Sequence, residues 1–351
     1  MTIGMTYDLK TEYVFRSSDP PDANAEFDHP DTVQVIQQAI EAMGHRVVRI
    51  GNAECVLRLW QWLKVDLVFN IAEGRTGRNR EAQVPVLLEM KGIPHTGSDG
   101  LTQALTLDKL MTKKVLIGEG IPTPRFFEMV HPHDPLPQDL IFPLIVKPRY
   151  EGSSKGLSEK SVVRTPEALR AQVEWLTQTY RQPALVEEFI RGNEFTVAII
   201  GNGHPHIFPV VRIQINGHDE LGDLFYTFSR ISEGAKYICP AGIDPSLEKR
   251  LQELALATYR AVECRDFGRV DFRVDEAGKP YVLEINALPS LSTEDVFGIL
   301  AQQQGFSYNA MIAKIVDAAI ERWKSTGAGQ ACPPGADPPL AGENSTRAKT
   351  A

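Results

Sequence analysis

The stretch Arg269-Val-Asp-Phe-Arg-Val-Asp-Glu-Ala-Gly-Lys-Pro-Tyr-Val-Leu-Glu-Ile-Asn286 alternates apolar and polar residues on both sides of a glycine-containing turn, the pattern of an antiparallel hairpin. Val270, Phe272 and Val274 alternate with Arg269, Asp271 and Arg273, while Leu283 and Ile285 alternate with Val282, Glu284 and Asn286. If both apolar sets face one core, a turn centred on Ala277-Gly278 pairs Asp271 with Glu284 and Arg269 with Asn286. Carboxylates directly across a strand pair have Cβ atoms about 5 Å apart and repel one another. A positive charge is therefore expected between them. Asp271, Glu284 and Asn286 put three hard oxygen donors on one face, which suits Mg²⁺ with its remaining positions left to water and phosphate. A solvated acidic face, neutralised by Arg269 and Arg273, accounts for the same local pattern.

Upstream, short apolar runs alternate with helical periodicity. Strands are predicted at Ile3–Tyr7, Arg46–Ile50 and Asp66–Ile71, and helices at Asp31–Met43 with Asp31 as cap, Glu54–Lys64, and Glu81–Lys91 closed by Gly92. That series predicts a parallel sheet with helices on its faces. A further helix between Leu101 and Gly118 carries Asp108 and Lys109. From Phe142 onward strands are joined by glycine-rich turns, with helices at Pro166–Tyr180, Ser246–Cys264 and Ser307–Lys324. The small, Pro- and Gly-rich residues 325–351 form a tail that cannot bury enough surface to order itself.

Two more stretches carry chemistry. In Leu144-Ile-Val-Lys-Pro-Arg-Tyr-Glu-Gly-Ser-Ser-Lys-Gly156 a strand leads through Lys147 into a loop whose backbone N–H groups and Ser153 and Ser154 hydroxyls can surround phosphate oxygens. The plainer reading is a hairpin turn, and neither GxxxxGK[ST] nor GxGxxG is present. In Leu185-Val-Glu-Glu-Phe-Ile-Arg-Gly-Asn-Glu-Phe-Thr-Val197, Glu187 and Glu194 flank a turn where one can accept from an exocyclic amine and the other from ribose hydroxyls; solvated glutamates fit equally well.

In combination and order these motifs resemble the ATP-grasp carboxylate–amine ligases, most closely the D-alanine–D-alanine ligase family. The likeness also includes Phe69-Asn-Ile-Ala-Glu-Gly74, Ile93-Pro-His-Thr-Gly-Ser98, Leu107-Asp-Lys109 and Cys239-Pro-Ala-Gly242. The resemblance implies an α/β ATP-grasp fold. Its parts are an N-terminal parallel α/β substrate domain (1–97) and two α+β subdomains clasping ATP (98–183, and 184–324 with the magnesium site), before the disordered tail (325–351). It implies that Lys109 and Lys147 contact ATP phosphates, that Ser153 and Ser154 cover them, and that Glu187 meets the adenine amine beside the backbone of Glu188 and Ile190. Glu194 is then the ribose ligand, and Asp271, Glu284 and Asn286 hold magnesium, in two ions. Arg269 stabilises a tetrahedral intermediate, with Ser290 offering a backbone N–H to the oxyanion. The chemistry implied is phosphorylation of a carboxylate followed by attack of an amine, on small amino acids, by a cytoplasmic enzyme of peptidoglycan precursor synthesis. A homodimer is expected from the resemblance alone.

The departures fall on the amino-acid side. The family's N-terminal Gly-Gly motif and its glutamate give way to Met5-Thr-Tyr-Asp-Leu-Lys10, and the family's His-Gly and Gly-Glu-Asp give way to Glu73-Gly and Gly77-Arg-Asn-Arg80. Arg78 thus reverses a charge, and Arg230 or Lys236 stands in for a missing mobile-loop lysine. The family's carboxylate-holding serine aligns with Asp295, preceded by Glu294, and acids receive a carboxylate poorly unless a cation such as Arg78 lies beside them. Glu73, Arg78, Arg230 and Asp295 are therefore the candidate substrate residues, and ligation of other amino acids is the rival expectation. A nucleotide-binding regulator without ligation is disfavoured by the complete magnesium set plus Arg269.

Composition narrows the field. A net charge of −8 offers no basic surplus for nucleic acid or an anionic membrane. Cys55, Cys239, Cys264 and Cys332 lack CxxC spacing, so buried thiols in a reducing compartment are expected rather than zinc ligands or a disulfide framework. No apolar run approaches the roughly 20 residues of a membrane helix, and the N-terminus lacks signal-peptide features.

Overall fold

The computed structural model describes residues 1–227 and 234–325. Strands β1 (Thr2–Tyr7), β2 (Arg46–Gly51) and β3 (Leu67–Ile71) form a parallel sheet in the order β2-β1-β3, interleaved with helices α1 (Pro30–Ala42) and α2 (Ala53–Arg58) and followed by α3 (Gln83–Lys91). Both faces of this sheet are covered. Ile3, Met5 and Phe69 pack on one side against Ile36 and Ile40 of α1 and against Met311 and Ile315 near the chain's far end. On the other, Val68 packs against Val56 and Leu88. The inner positions of β1 and all of β3 are accordingly buried, whereas the edge strand β2 keeps Arg46 and Arg49 exposed.

Helices α4 (Gly100–Leu107) and α5 (Lys109–Gly118) lead to a second, antiparallel sheet, β4-β7-β5-β6, built from β4 (Phe126–Met129), β5 (Leu144–Pro148), β6 (Val162–Val163) and β7 (Ala184–Glu188), with α6 (Pro166–Tyr180) on its back. The third sheet is also antiparallel, in the order β11-β10-β8-β12-β13 with β9 beside β8. It comprises β8 (Gly192–Ile200), β9 (His206–Ile207), β10 (Val211–Ile215), β11 (Ala235–Ile238), β12 (Phe267–Asp275) and β13 (Pro280–Asn286), with α7 (Pro245–Ala261) between β11 and β12. Helices α8 (Val296–Gln303) and α9 (Tyr308–Ser325) return to the first sheet. There Arg322 clasps the fully buried Asp266 at 2.7 Å, tying the last helix to the start of β12.

Several boundaries differ from expectation for local reasons. His29, not Asp31, is the N-cap of α1, because Pro30 opens the helix where a missing N–H costs nothing. The helix expected from Leu101 to Gly118 is two helices. Asp108 leaves helical geometry (φ −84°, ψ 91°) and caps α5 by accepting from the Met111 N–H at 3.2 Å. The helix expected at Glu54–Lys64 stops at Arg58, and the short strands β4, β9, β10 and β11 and helix α8 were not foreseen. Of the cysteines, Cys239 and Cys264 are buried thiols and Cys55 is half-buried; Cys332 and the expected tail beyond Ser325 lie outside the described residues. Among the described residues no helix is long and apolar enough to cross a membrane.

The hairpin pairs Arg269 with Asn286 and Asp271 with Glu284, as the alternation predicts. Beyond Asp271 the register shifts, so that Phe272 faces Val282 and Arg273 faces Tyr281. The turn is a three-residue loop with Gly278 left-handed (φ 81°), and a bulge at Leu283 restores the pairing at the acids. Val282 consequently enters the core at 0 % exposure, while Leu283, expected beside Ile285 in the core, sits on a cavity wall instead.

Candidate active site

A cavity of about 920 Å³ opens between the second and third sheets and extends to the loops above the first. Its lining unites Lys109, Lys147, Ser153, Ser154, Glu187, Glu188, Ile190, Glu194, Arg269, Asp271, Glu284, Asn286, Ser290, Asp295 and Glu73, all singled out in the sequence. Arg78 is not on this wall. It pairs with Asp108 at 2.6 Å, which also takes both prongs of Arg149 at 2.7 Å, so Asp108 anchors two arginines below the start of α5. Arg230 lies outside the described residues, whereas Lys236 of β11 lines the cavity.

The break at Asp108 places Lys109 at the first position of α5, where its ammonium meets Glu284 Oε2 at 2.7 Å and donates to the Glu151 carbonyl at 2.7 Å. Burial opposes ionisation of Glu284, but Lys109 and Lys147 prevail and hold its carboxyl at about 2. One turn along, the fully buried Lys113 pairs with Glu187 Oε1 at 2.8 Å and donates to Thr123 Oγ1 at 2.6 Å; Lys147 of β5 reaches Glu187 Oε2 at 2.6 Å. Burial pushes the Lys113 ammonium down to about 8, with Glu187 pulling the other way. Lys113 was missed in the sequence, although its spacing of four from Lys109 on one helix puts both ammonium groups on the same face.

On the opposite wall Asp271 is held from three sides. Arg269 donates through Nε and Nη2 at 3.1 Å each, Asn286 Nδ2 at 2.9 Å and Thr196 Oγ1 at 2.6 Å. Arg269 also lies 3.6 Å from Asp295, whose carboxylate caps α8 by accepting from Val296 N–H at 2.6 Å. The cation beside Asp295 is thus Arg269 and not Arg78. Glu194 forms a buried ion pair with Arg273, which in turn donates to the carbonyls of Gly222 and Leu224 at 2.8 and 2.7 Å. Among the described residues no three His, Cys, Asp or Glu side chains cluster as a ready metal cage.

The Gly-Ser loop has an unforeseen partner. Ser153 and Ser154 both adopt left-handed backbone (φ 46° and 54°), which non-glycine residues rarely do. Glu26 accepts from Gly152 N–H at 2.5 Å and pairs with Arg80 at 2.7 Å and Lys155 at 3.2 Å, while Asp22 accepts from Gly156 N–H at 2.8 Å and from the Tyr180 hydroxyl. A Cβ on Gly152 would lie 2.9 Å from Glu26 Oε1, so glycine lets the carboxylate approach. The segment between β1 and α1 therefore fastens the loop. Neither acid stands in a recognisable sequence pattern.

Two antiparallel sheets closing on a cavity, with ammonium groups on one wall and carboxylates on the other, define the ATP-grasp fold. The same architecture recurs in the D-alanine–D-alanine ligase of Bacillus anthracis complexed with ATP (TM-score 0.73, 23 % identity, 93 % of this chain and 100 % of that one). It recurs in the VanG D-Ala:D-Ser ligase of Enterococcus faecalis (TM-score 0.69, 22 % identity, 91 % and 99 %). Residues 118–317 match the family model described as D-ala D-ala ligase C-terminus. The D-alanine–D-alanine ligase of Pelotomaculum thermopropionicum is 32 % identical over 301 residues, 83 % of this chain and 91 % of the relative. An uncharacterized protein, y4sG, of Sinorhizobium fredii is 39 % identical over 305 residues, 82 % and 87 %. The chain belongs to the D-alanine–D-alanine ligase family.

Proposed function

We propose that the chain is an ATP-dependent ligase that joins a carboxylate to an amine through an acyl phosphate, with D-alanyl-D-alanine formation for peptidoglycan precursors as the activity its family membership supports. The observation that carries this reading is the facing of Lys109 and Lys147 with Asp271 and Glu284 across one cavity. The ammonium groups of Lys109 and Lys147 meet phosphate oxygens, and the loop of Ser153 and Ser154 covers them and keeps water from the acyl phosphate. Glu187 retains acceptor capacity for an exocyclic amine after meeting two lysines, and Glu194 for ribose hydroxyls. Arg269 and the Ser290 N–H face the oxygen that becomes negative when the amine attacks.

Asp271, Glu284 and Asn286 fit magnesium by chemistry and placement: hard oxygen donors on adjacent strands of the cavity wall, two of them carboxylates already needing positive charge. Bound there, two Mg²⁺ ions supply charge neutralisation to the transferred phosphoryl group. The remaining features of the proposal are a cytoplasmic homodimer and a division into 1–97, 98–183 and 184–324.

The second reading, the same chemistry on other amino acids, is favoured by Asp295, which occupies the expected carboxylate-receiving position and spends its charge on a helix cap and Arg269. ADP release coupled to NADH oxidation, run with Mg²⁺–ATP and single amino acids and pairs, tests both. Turnover with D-alanine alone supports the first reading and turnover with other acids only the second. ATP binding without amino-acid-dependent turnover overturns both.

A further inference from the structure

Glu187, the carboxylate proposed to accept from an exocyclic amine, is fixed from behind the cavity wall. Its Oε1 is buried against Lys113 Nζ at 2.8 Å, which leaves Oε2, 2.6 Å from Lys147 Nζ, as the oxygen on the cavity side. Lys113 itself has no exposed surface and is held from its far side. Its ammonium donates to Thr123 Oγ1 at 2.6 Å and lies 5.9 Å from the centre of the Phe126 ring, and Phe126 pairs with Glu187 across β4 and β7. Thr123 in turn donates to the Val282 carbonyl at 2.8 Å, while the Val282 N–H donates to the Pro122 carbonyl at 2.8 Å. The segment Ile121-Pro-Thr-Pro124 thus lies along the outer edge of β13, and the relay Glu187–Lys113–Thr123–Val282 joins the second sheet to the third.

A buried carboxylate with one oxygen unmatched must turn away or keep a proton. Burial disfavours the charge of Glu187, but Lys113 and then Lys147 outweigh it and hold the carboxyl below the ordinary range. The charge state matters for recognition. An ionised carboxylate only accepts, so it favours an –NH₂ at the edge of a base and repels a carbonyl oxygen in the same place; a protonated carboxyl can also donate and tolerates both. Lys147 stands on the cavity wall and is the lysine assigned to phosphate, so a bound triphosphate competes for its charge. Lys113 is out of a ligand's reach, and its charge stays with Glu187.

We propose that Lys113 is the positioning residue for base recognition: by holding the rear oxygen of Glu187 it keeps an acceptor-only carboxylate facing the cavity, and so makes the site select a 6-amino over a 6-oxo purine nucleoside triphosphate. This rests on the reading of Glu187 as the base-facing carboxylate and is independent of the amino acids ligated. Thr123 fixes where the ammonium stands, because its hydroxyl is tied to the backbone of β13 rather than to a mobile side chain.

Isothermal titration of the full chain with Mg²⁺–ATP and with Mg²⁺–inosine triphosphate tests this without requiring turnover. Wild type should bind ATP about 30-fold or more tightly than the 6-oxo nucleotide. Lys113→Met should shrink that ratio about 10-fold or more, chiefly through lost ATP affinity. A merely structural role for Lys113 would lower both affinities alike and leave the ratio intact, which overturns the inference. Thr123→Val removes the relay's hydroxyl and keeps the ammonium; it should shift the ratio about 3-fold or more in the same direction, and Thr123→Ser should restore it. Should Lys113→Met fail to fold, an unchanged ratio in Thr123→Val overturns the inference instead. Glu187→Gln, which should also collapse the ratio, separates the two layers. A wild-type ratio near one, or a ratio untouched by Glu187→Gln, removes the base assignment and this inference with it. A ratio that collapses in Glu187→Gln and survives in Lys113→Met keeps the assignment and removes the role of Lys113.

Discussion

Lys109 Nζ lies 2.7 Å from Glu284 Oε2, so the ammonium assigned to a phosphate and the carboxylate assigned to a metal neutralise each other across the cavity. The pairing keeps a buried lysine charged despite desolvation, raising its pKa rather than lowering it. It also links the two roles proposed for these residues: if Glu284 held a metal ion, Lys109 would be released towards phosphate. Lys109→Met should reduce ATP turnover by about 10²-fold or more, read as ADP release with the fold checked by circular dichroism. Glu284 has a folded pKa of about 2, below its unfolded value, so its contribution is present above pH 4.5 and fades as pH falls through 2. The stability gap between wild type and Lys109→Met should therefore be widest above pH 5 and close in acid.

Lys113→Met leaves Glu187 with Lys147 alone in a fully buried setting. Removing one member of such a cluster costs about 3 kcal/mol, and Lys113→Met/Glu187→Gln should recover part of it. The pH sign is opposite to the usual lysine case. The Lys113 folded pKa of about 8 lies below its unfolded value, so the unfolded chain holds more protons between the two and wild-type stability gains with pH in that window. Urea midpoints at pH 8 and pH 10 should thus move in favour of wild type relative to the variant, and equal movement would remove the burial argument.

Asn286 donates from Nδ2 to Asp271 at 2.9 Å, which shows why this position carries an amide: it relieves the acid and keeps an oxygen for a cation. Asn286→Asp replaces that donor with a third carboxylate. The expected result is a lower melting temperature without Mg²⁺ and a larger rise on adding it than wild type shows, followed by scanning fluorimetry across a Mg²⁺ titration. A melting temperature insensitive to Mg²⁺–ATP in both proteins would sink the metal assignment.

Much of this site was legible because strand alternation and turn chemistry act over a few residues. Asp271, Glu284 and Asn286 could be brought together from the hairpin alone, and even there the compensating bulge at Leu283 was invisible, since loop length and bulge cancel in the pairing of the acids. The family resemblance supplied the roles of Lys109, Lys147 and Glu187. What neither source gave was long-range charge pairing. Glu26 meets Gly152 only because the segment before α1 reaches the loop after β5, and Glu81 lines the cavity because it sits in the tight turn Arg80–Ala82 before α3. A solitary acid in an irregular segment has no periodicity to announce its partner. The partner of Arg78 was likewise set by the break at Asp108, which interrupts an otherwise continuous helical pattern.

Glu26, together with Asp22, joins the N-terminal segment to the Gly-Ser loop proposed to cover phosphate. Burial disfavours its charge, yet Arg80, Lys155 and the Gly152 N–H together hold its carboxyl at about 2. Glu26→Gln keeps an acceptor for Gly152 N–H but removes the charge shared by Arg80 and Lys155, leaving both to Glu151. The cost to loop closure should be about 1–3 kcal/mol, so amides of residues 152–156 should exchange with deuterium about 5- to 100-fold faster while those of β5 and β7 stay protected. Because the folded pKa is depressed, the latch is fully formed above pH 4.5 and weakens as pH falls towards 2; wild type and variant should converge there. If the loop serves to cover ATP, KM for ATP should rise in the variant more than kcat falls. Unchanged exchange in 152–156 would mean that the left-handed backbone at Ser153 and Ser154, not the carboxylate, sets the loop's conformation.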